Sequence, residues 1–107
     1  MFKSIELSKI LSLKDEVVYQ NHQVTSRTIV KNKEVTITLF AFDKGEGLSS
    51  HASNGDALVQ VLDGTVKITI ADQDYILNEG DSIIMPANIS HALEAIEKFK
   101  MLLTIIF

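Results

Sequence analysis

The sequence has no cysteine, a single proline and five glycines, and it lacks both a cluster of like charges and a long apolar run. Each absence excludes something. Without cysteine there are no disulfides, no thiolate metal sites and no cysteine nucleophile, a composition that a reducing compartment permits. Lys and Arg number 10 against 14 Asp and Glu, a formal net charge of -4. Because the basic residues are scattered, no electrostatic footprint forms for a nucleic acid or for an anionic membrane surface. The apolar residues near the start are interrupted by Lys3, Glu6 and Lys9, so neither a signal-peptide core nor a membrane span is predicted, and a cytoplasmic location is expected. There is no glycine-rich phosphate loop, no nucleophile elbow and no aromatic stacking platform; the five Phe and two Tyr are spread through apolar runs as core residues are.

What is present is a succession of short runs. A chain of 107 residues that is 46% hydrophobic and 22% charged has the make-up of one globular domain, 1–107, able to bury a modest core. β-branched and aromatic residues recur at 17–19, 24–30, 35–42, 57–62, 65–71, 74–77, 82–85, 90–95 and 99–107. Gly, Asn, Asp or Lys clusters separate them at intervals of about 8 to 12 residues, which predicts an all-β sandwich or barrel. Asp63-Gly64 is expected to close a tight hairpin, since Gly accepts the positive φ such a turn requires. Further turns are expected at 72–74 and 78–81, and one or two helical turns within 4–11.

The run 99–107 is almost continuously apolar, so both of its faces need cover. An exposed apolar strand invites aggregation, and a homodimer is expected to bury the second face. The alternative is that Ile5, Leu7, Ile10 and Leu11 fold back over it within one chain.

Two segments carry a second signal. Gly45, His51 and Gly64 fall on one spacing, and Gly80, Pro86 and His91 on another. These segments resemble the two cupin motifs, G(X)5HXH(X)3,4E(X)6G and G(X)5PXG(X)2H(X)3N, taken in order. Ser53 stands at the second His of the first motif and Ala57 at its Glu; Asn88 and Ala95 replace the second Gly and the Asn of the other. The resemblance covers about 35–107. It implies a cupin-like double-stranded β-helix (jelly-roll) barrel, here with a short N-terminal helical or irregular segment. In metal-binding cupins it also implies three imidazoles and one carboxylate around a divalent transition metal, with open positions for substrate or dioxygen.

Strand alternation places His51, Ser53, Ala57, Val59 and Val61 on one face, and His91, Leu93 and Ala95 on one face of a later strand, so both histidines look into the barrel mouth. The expected pocket is His51, Ser53, Val59, Val61, Met85, His91 and Leu93, a mostly apolar cavity with few polar groups, suited to a small anionic or hydroxylated molecule. The alternative is a metal-dependent enzyme of oxygenase or isomerase type, with His51, His91 and Asp56 around zinc, nickel, manganese or iron. That requires a bulge at Gly55-Asp56, because pleat parity points Asp56 away from the face of Ala57. A third reading leaves the two histidines as hydrogen-bonded polar groups without catalytic duty. His22 reads as an exposed turn residue, and Asp72, Asp74, Glu79 and Asp81 as solvated turn residues.

Overall fold

In the computed structural model, which describes residues 1–107, nine strands follow one another: β1 (Val24–Lys31), β2 (Val35–Phe42), β3 (Gly47–His51), β4 (Asp56–Asp63), β5 (Thr65–Ile70), β6 (Gln73–Asn78), β7 (Ser82–Met85), β8 (His91–Ala95) and β9 (Phe99–Ile106). They build two antiparallel sheets, one ordered β1-β2-β9-β4-β7 and the other β3-β8-β5-β6. From β4 onward the chain passes repeatedly from one sheet to the other, which is the jelly-roll arrangement expected. The only helical turn is a short 3-10 segment, Leu13–Asp15. No helix is long and apolar enough to cross a membrane.

Alternation along the strands fills the space between the sheets. Ala57, Val59 and Val61 of β4, Val66 and Ile68 of β5, Leu93 and Ala95 of β8, and Phe99 and Met101 of β9 form one buried cluster with Phe42, Leu77 and Met85. Within it the rings of Phe42 and Phe99 stack with centroids 4.5 Å apart, adding to the area they bury. β9 lies in the middle of its sheet, paired along its length with β2 and β4. Its odd-numbered residues enter the barrel and its even-numbered ones face outward.

The outward face of β9 is partly covered by the chain's own N-terminus. Val17, Ile29, Leu39 and Ala41 make a second buried cluster, against which Ile5, Leu13, Ile37, Leu62 and Leu102 pack. Buried Lys100 donates from Nζ to the Lys14 carbonyl and stands 4.8 Å over the Tyr19 ring. Tyr19 in turn donates its hydroxyl to Asp63 Oδ2 at 2.6 Å. At Leu102, therefore, cover comes from within one chain. Leu7 and Ile10, expected to share that task, remain 70% and 105% exposed.

Three local expectations are corrected. Residues 17–19 form no strand; Val17 plugs the second cluster and Tyr19 is held by Asp63. Residues 4–11 form no helical turn; they run as bends and irregular chain. Asp63-Gly64 closes no hairpin, because β4 and β5 belong to different sheets; it is the corner where the chain changes sheet. Gly64 is nonetheless required there. Its φ is +77, and a Cβ would lie 1.7 Å from the Lys98 carbonyl oxygen. The other turns behave as expected: Asp74 accepts from the Thr69 hydroxyl, Asp81 from the Asn78 N–H, and exposed His22 donates its N–H to Asp43.

Gly64→Ala is expected to lower the unfolding free energy by about 3 kcal/mol or more, since it adds a backbone clash to an unfavourable φ. Gly80→Ala, at φ +91 but with open space around the added Cβ, is expected to cost only about 1 to 2 kcal/mol. Urea unfolding of the two variants measures the difference, and equal costs would refute the role given to the Gly64 corner.

Candidate functional site

His91 opens β8 and faces inward with Leu93 and Ala95, only 4% exposed. Its neighbour β3 was not evident from composition, because Gly-Leu-Ser-Ser-His has weak strand propensity. It forms because β8 offers an unpaired edge and Gly47 allows close approach: a Cβ there would sit 2.1 Å from the Leu93 carbonyl oxygen. Leu48 pairs with Leu93 and His51 with His91, so β3 spends three steps where β8 spends two. The extra residue is a bulge around Ser49 and Ser50, which lets Leu48 and His51 both face inward despite their opposite parity.

The bulge brings the two imidazoles together. Their centroids are 4.5 Å apart and their planes 73° apart, an edge-to-face arrangement. His51 Nδ1 lies 2.7 Å from the Ser49 carbonyl oxygen, and His91 Nδ1 lies 3.3 Å from that of Ile89. A carbonyl oxygen only accepts, so each Nδ1 carries the proton and donates, and each Nε2 keeps a free lone pair. Burial pushes the His91 pKa below the usual imidazole value, the neighbouring His51 adds to that effect, and the bond to Ile89 opposes it. His91 is accordingly neutral at pH 7, beside an exposed His51.

Around the pair, the loops that precede β4 and β8 clasp one another. The Asn88 N–H donates to the Ser53 carbonyl at 2.7 Å, with Asn88 itself at φ +64. The Ala87 N–H donates to Asp56 Oδ1 at 2.8 Å, the Ser53 hydroxyl donates to the Gly55 carbonyl at 2.8 Å, and the hydroxyls of Ser50 and Ser90 bond each other. These contacts hold the mouth in shape, and they correct the expectation for Asp56. Its carboxylate binds a loop N–H instead of turning inward, and no three His, Cys, Asp or Glu side chains come together anywhere in the chain. Two imidazoles without a third protein ligand do not fit the donor set of a catalytic transition-metal centre.

The depth of the expected pocket is corrected as well. Val59, Val61, Met85 and Leu93 are between 0% and 4% exposed and belong to the packed cluster. None of the three concavities on the molecule is lined by them or by His51 and His91. What faces solvent at this end is a shallow mouth. Ile70, paired with His91 on β5, and Ile105, paired with Ala57 on β4, are only partly buried and pack on the rim of the core. Neither was foreseeable, since their place beside the histidines follows from sheet pairing across distant parts of the chain.

A family model described as a cupin domain matches residues 38–107. Similar solved structures include a conserved protein of unknown function from Streptococcus pyogenes, 44% identical over 98% of this chain and 92% of that one, with a TM-score of 0.96. A cupin superfamily protein from Desulfitobacterium hafniense is 31% identical over 100% of this chain and 98% of its own, with a TM-score of 0.95. A cupin 2 conserved barrel domain protein from Leptotrichia buccalis is 40% identical over 88% of this chain but only 46% of its own, with a TM-score of 0.86. No curated protein matches the chain.

The lowered pKa of His91 has a signed consequence. On acidification the unfolded state protonates this imidazole before the native state does, so stability falls as pH drops from 7 through the ordinary imidazole range, and the fall ends below the lowered native pKa. NMR titration is expected to show His91 titrating below His22, and His51→Ala to move the His91 pKa upward by removing a neighbouring positive charge. A His91 pKa at or above that of His22 would contradict the assignment.

Proposed function

This chain belongs to the cupin family, and we propose that it is a binding barrel that takes a small hydroxylated molecule at its mouth, against His51 and His91. The observation that supports this most is the shared orientation of the two rings: both Nδ1 atoms are engaged by backbone carbonyls, so both Nε2 atoms are acceptors without a protein partner. Acceptors select donors. A hydroxyl group would satisfy either lone pair, whereas a carboxylate would oppose lone pair to lone pair until a ring gained a proton. Ile70 and Ile105 offer apolar contact for the carbon skeleton, and the filled interior restricts the ligand to one small enough to sit near the surface.

A metal-dependent oxygenase or isomerase is the weaker reading. It needs a third ligand, and Ser53 and Asp56 are both engaged in holding the loops.

The test is an NMR-monitored screen of small polyols, sugars and carboxylic acids against the full chain. Hydroxylated compounds are expected to perturb residues around His51, His91, Ile70 and Ile105. His51→Ala, at an exposed position, and His91→Gln are each expected to weaken binding about tenfold, the worth of one hydrogen bond at ~1 to 1.5 kcal/mol. Binding of a hydroxylated ligand should weaken as pH falls through the His91 titration, while a carboxylate should bind better. Compounds that bind with unchanged affinity in both variants would overturn the proposal.

A further inference from the structure

The two outer faces of the barrel differ in kind. On the sheet β3-β8-β5-β6 the outward residues are mostly polar: Lys67 pairs with Glu94 at 3.5 Å, Thr69 bonds Asp74 and Thr65 bonds Asn78. On the sheet β1-β2-β9-β4-β7 the outward residues are apolar. Pairing registers align Ile37, Thr104, Leu58 and Ile84 in one row across four strands. The N-terminal segment covers the neighbouring row at Leu39 and Leu102 and leaves this one largely bare, with Ile84 60% exposed.

The covering segment is itself unfinished. Phe2, Leu7 and Ile10 are 56%, 70% and 105% exposed, an arrangement that leaves apolar side chains pointing into water on top of an apolar sheet. Between the segment and the sheet lies a cavity of about 430 Å³, lined by Phe2, Ile5, Leu11, Ile37 and Leu102 among others. Ile37 belongs both to this cavity and to the bare row, so the two are continuous.

We infer that two copies of this chain pair through this face, each N-terminal segment packing its projecting side chains against the hollow and the bare row of the other. The face carries both a ridge, at Leu7 and Ile10, and a hollow a few residues away, and a two-fold axis sets ridge against hollow twice. Charge points to the same occupant. Glu6 and Lys9 neutralise each other at 2.9 Å, so a chain of net charge -4 meets its copy on a nearly uncharged patch. A polyanion or a charged membrane surface would find nothing there to bind. This pairing leaves the barrel mouth untouched and stands independently of the ligand proposed for it.

Sedimentation equilibrium of the full chain in the micromolar range tests the inference. A dimer is expected, and Leu7→Asp and Ile10→Asp are each expected to raise its dissociation constant at least about 30-fold, as for an interface hot spot. Because both side chains are exposed in the single chain, these changes should leave its circular dichroism and Tm intact, which separates lost pairing from lost folding. Ile76→Asp, on the edge strand of the other sheet, should leave the dimer unchanged. A monomer at every concentration, or a dimer indifferent to both N-terminal substitutions, would overturn the inference.

Discussion

A central strand that must be covered on both faces governs this molecule. β9 pairs with β2 on one side and β4 on the other, and its sequence is apolar in both directions. Inward, Phe99 and Met101 join Phe42, Val59 and Met85 in a core with no room for a deep cavity. Outward, Leu102 draws the N-terminal segment down onto the sheet, and Lys100 lays its stem along that surface while its amine reaches a backbone carbonyl. The site and the proposed pairing face follow from the same demand. Packing claims the interior and leaves only the mouth for chemistry, while incomplete outer cover leaves a patch for a second copy.

At the mouth, the residues that could have made a metal centre serve geometry instead. Ser53, at the position where the family pattern has a histidine, closes its own loop through Gly55. Asp56, adjacent to the missing glutamate, pins the loop that carries Asn88 and leads to His91. Both loops are therefore fixed around two imidazoles whose Nδ1 atoms are already engaged. Such a pair is preorganised, with ring orientation and tautomer set before any ligand arrives, and preorganisation is what makes a few polar groups selective.

Much of this was legible in the sequence. The strands with dense β-branched and aromatic content, 35–42, 65–70 and 99–106, lie where periodicity places them, and two imperfect motifs in order were enough for the family. The facing of His51 and His91 followed from parity only by way of a bulge that no local rule announces, since Ser49 and Ser50 read as loop residues. β3 is a strand by virtue of its partner, whereas 17–19 has strand composition and no partner. Asp63-Gly64 showed its positive φ but not its sheet change, because a corner and a hairpin use the same glycine chemistry. The pocket failed for a reason of volume: Val59, Val61, Met85 and Leu93 face inward as expected, but facing inward does not distinguish a wall from a filling.

The account turns on His51 and His91 being hydrogen-bond acceptors for a ligand and not two corners of a metal centre. Elemental analysis tests this most directly, on untagged protein prepared without chelators, exposed to zinc, nickel, manganese or ferrous iron and then freed of unbound ions. The account predicts metal far below one equivalent per chain under every condition, because two imidazoles alone hold a divalent ion weakly. Metal near one equivalent per chain that disappears in His51→Ala would contradict it and would require a third ligand that the loops at Ser53 and Asp56 release on binding.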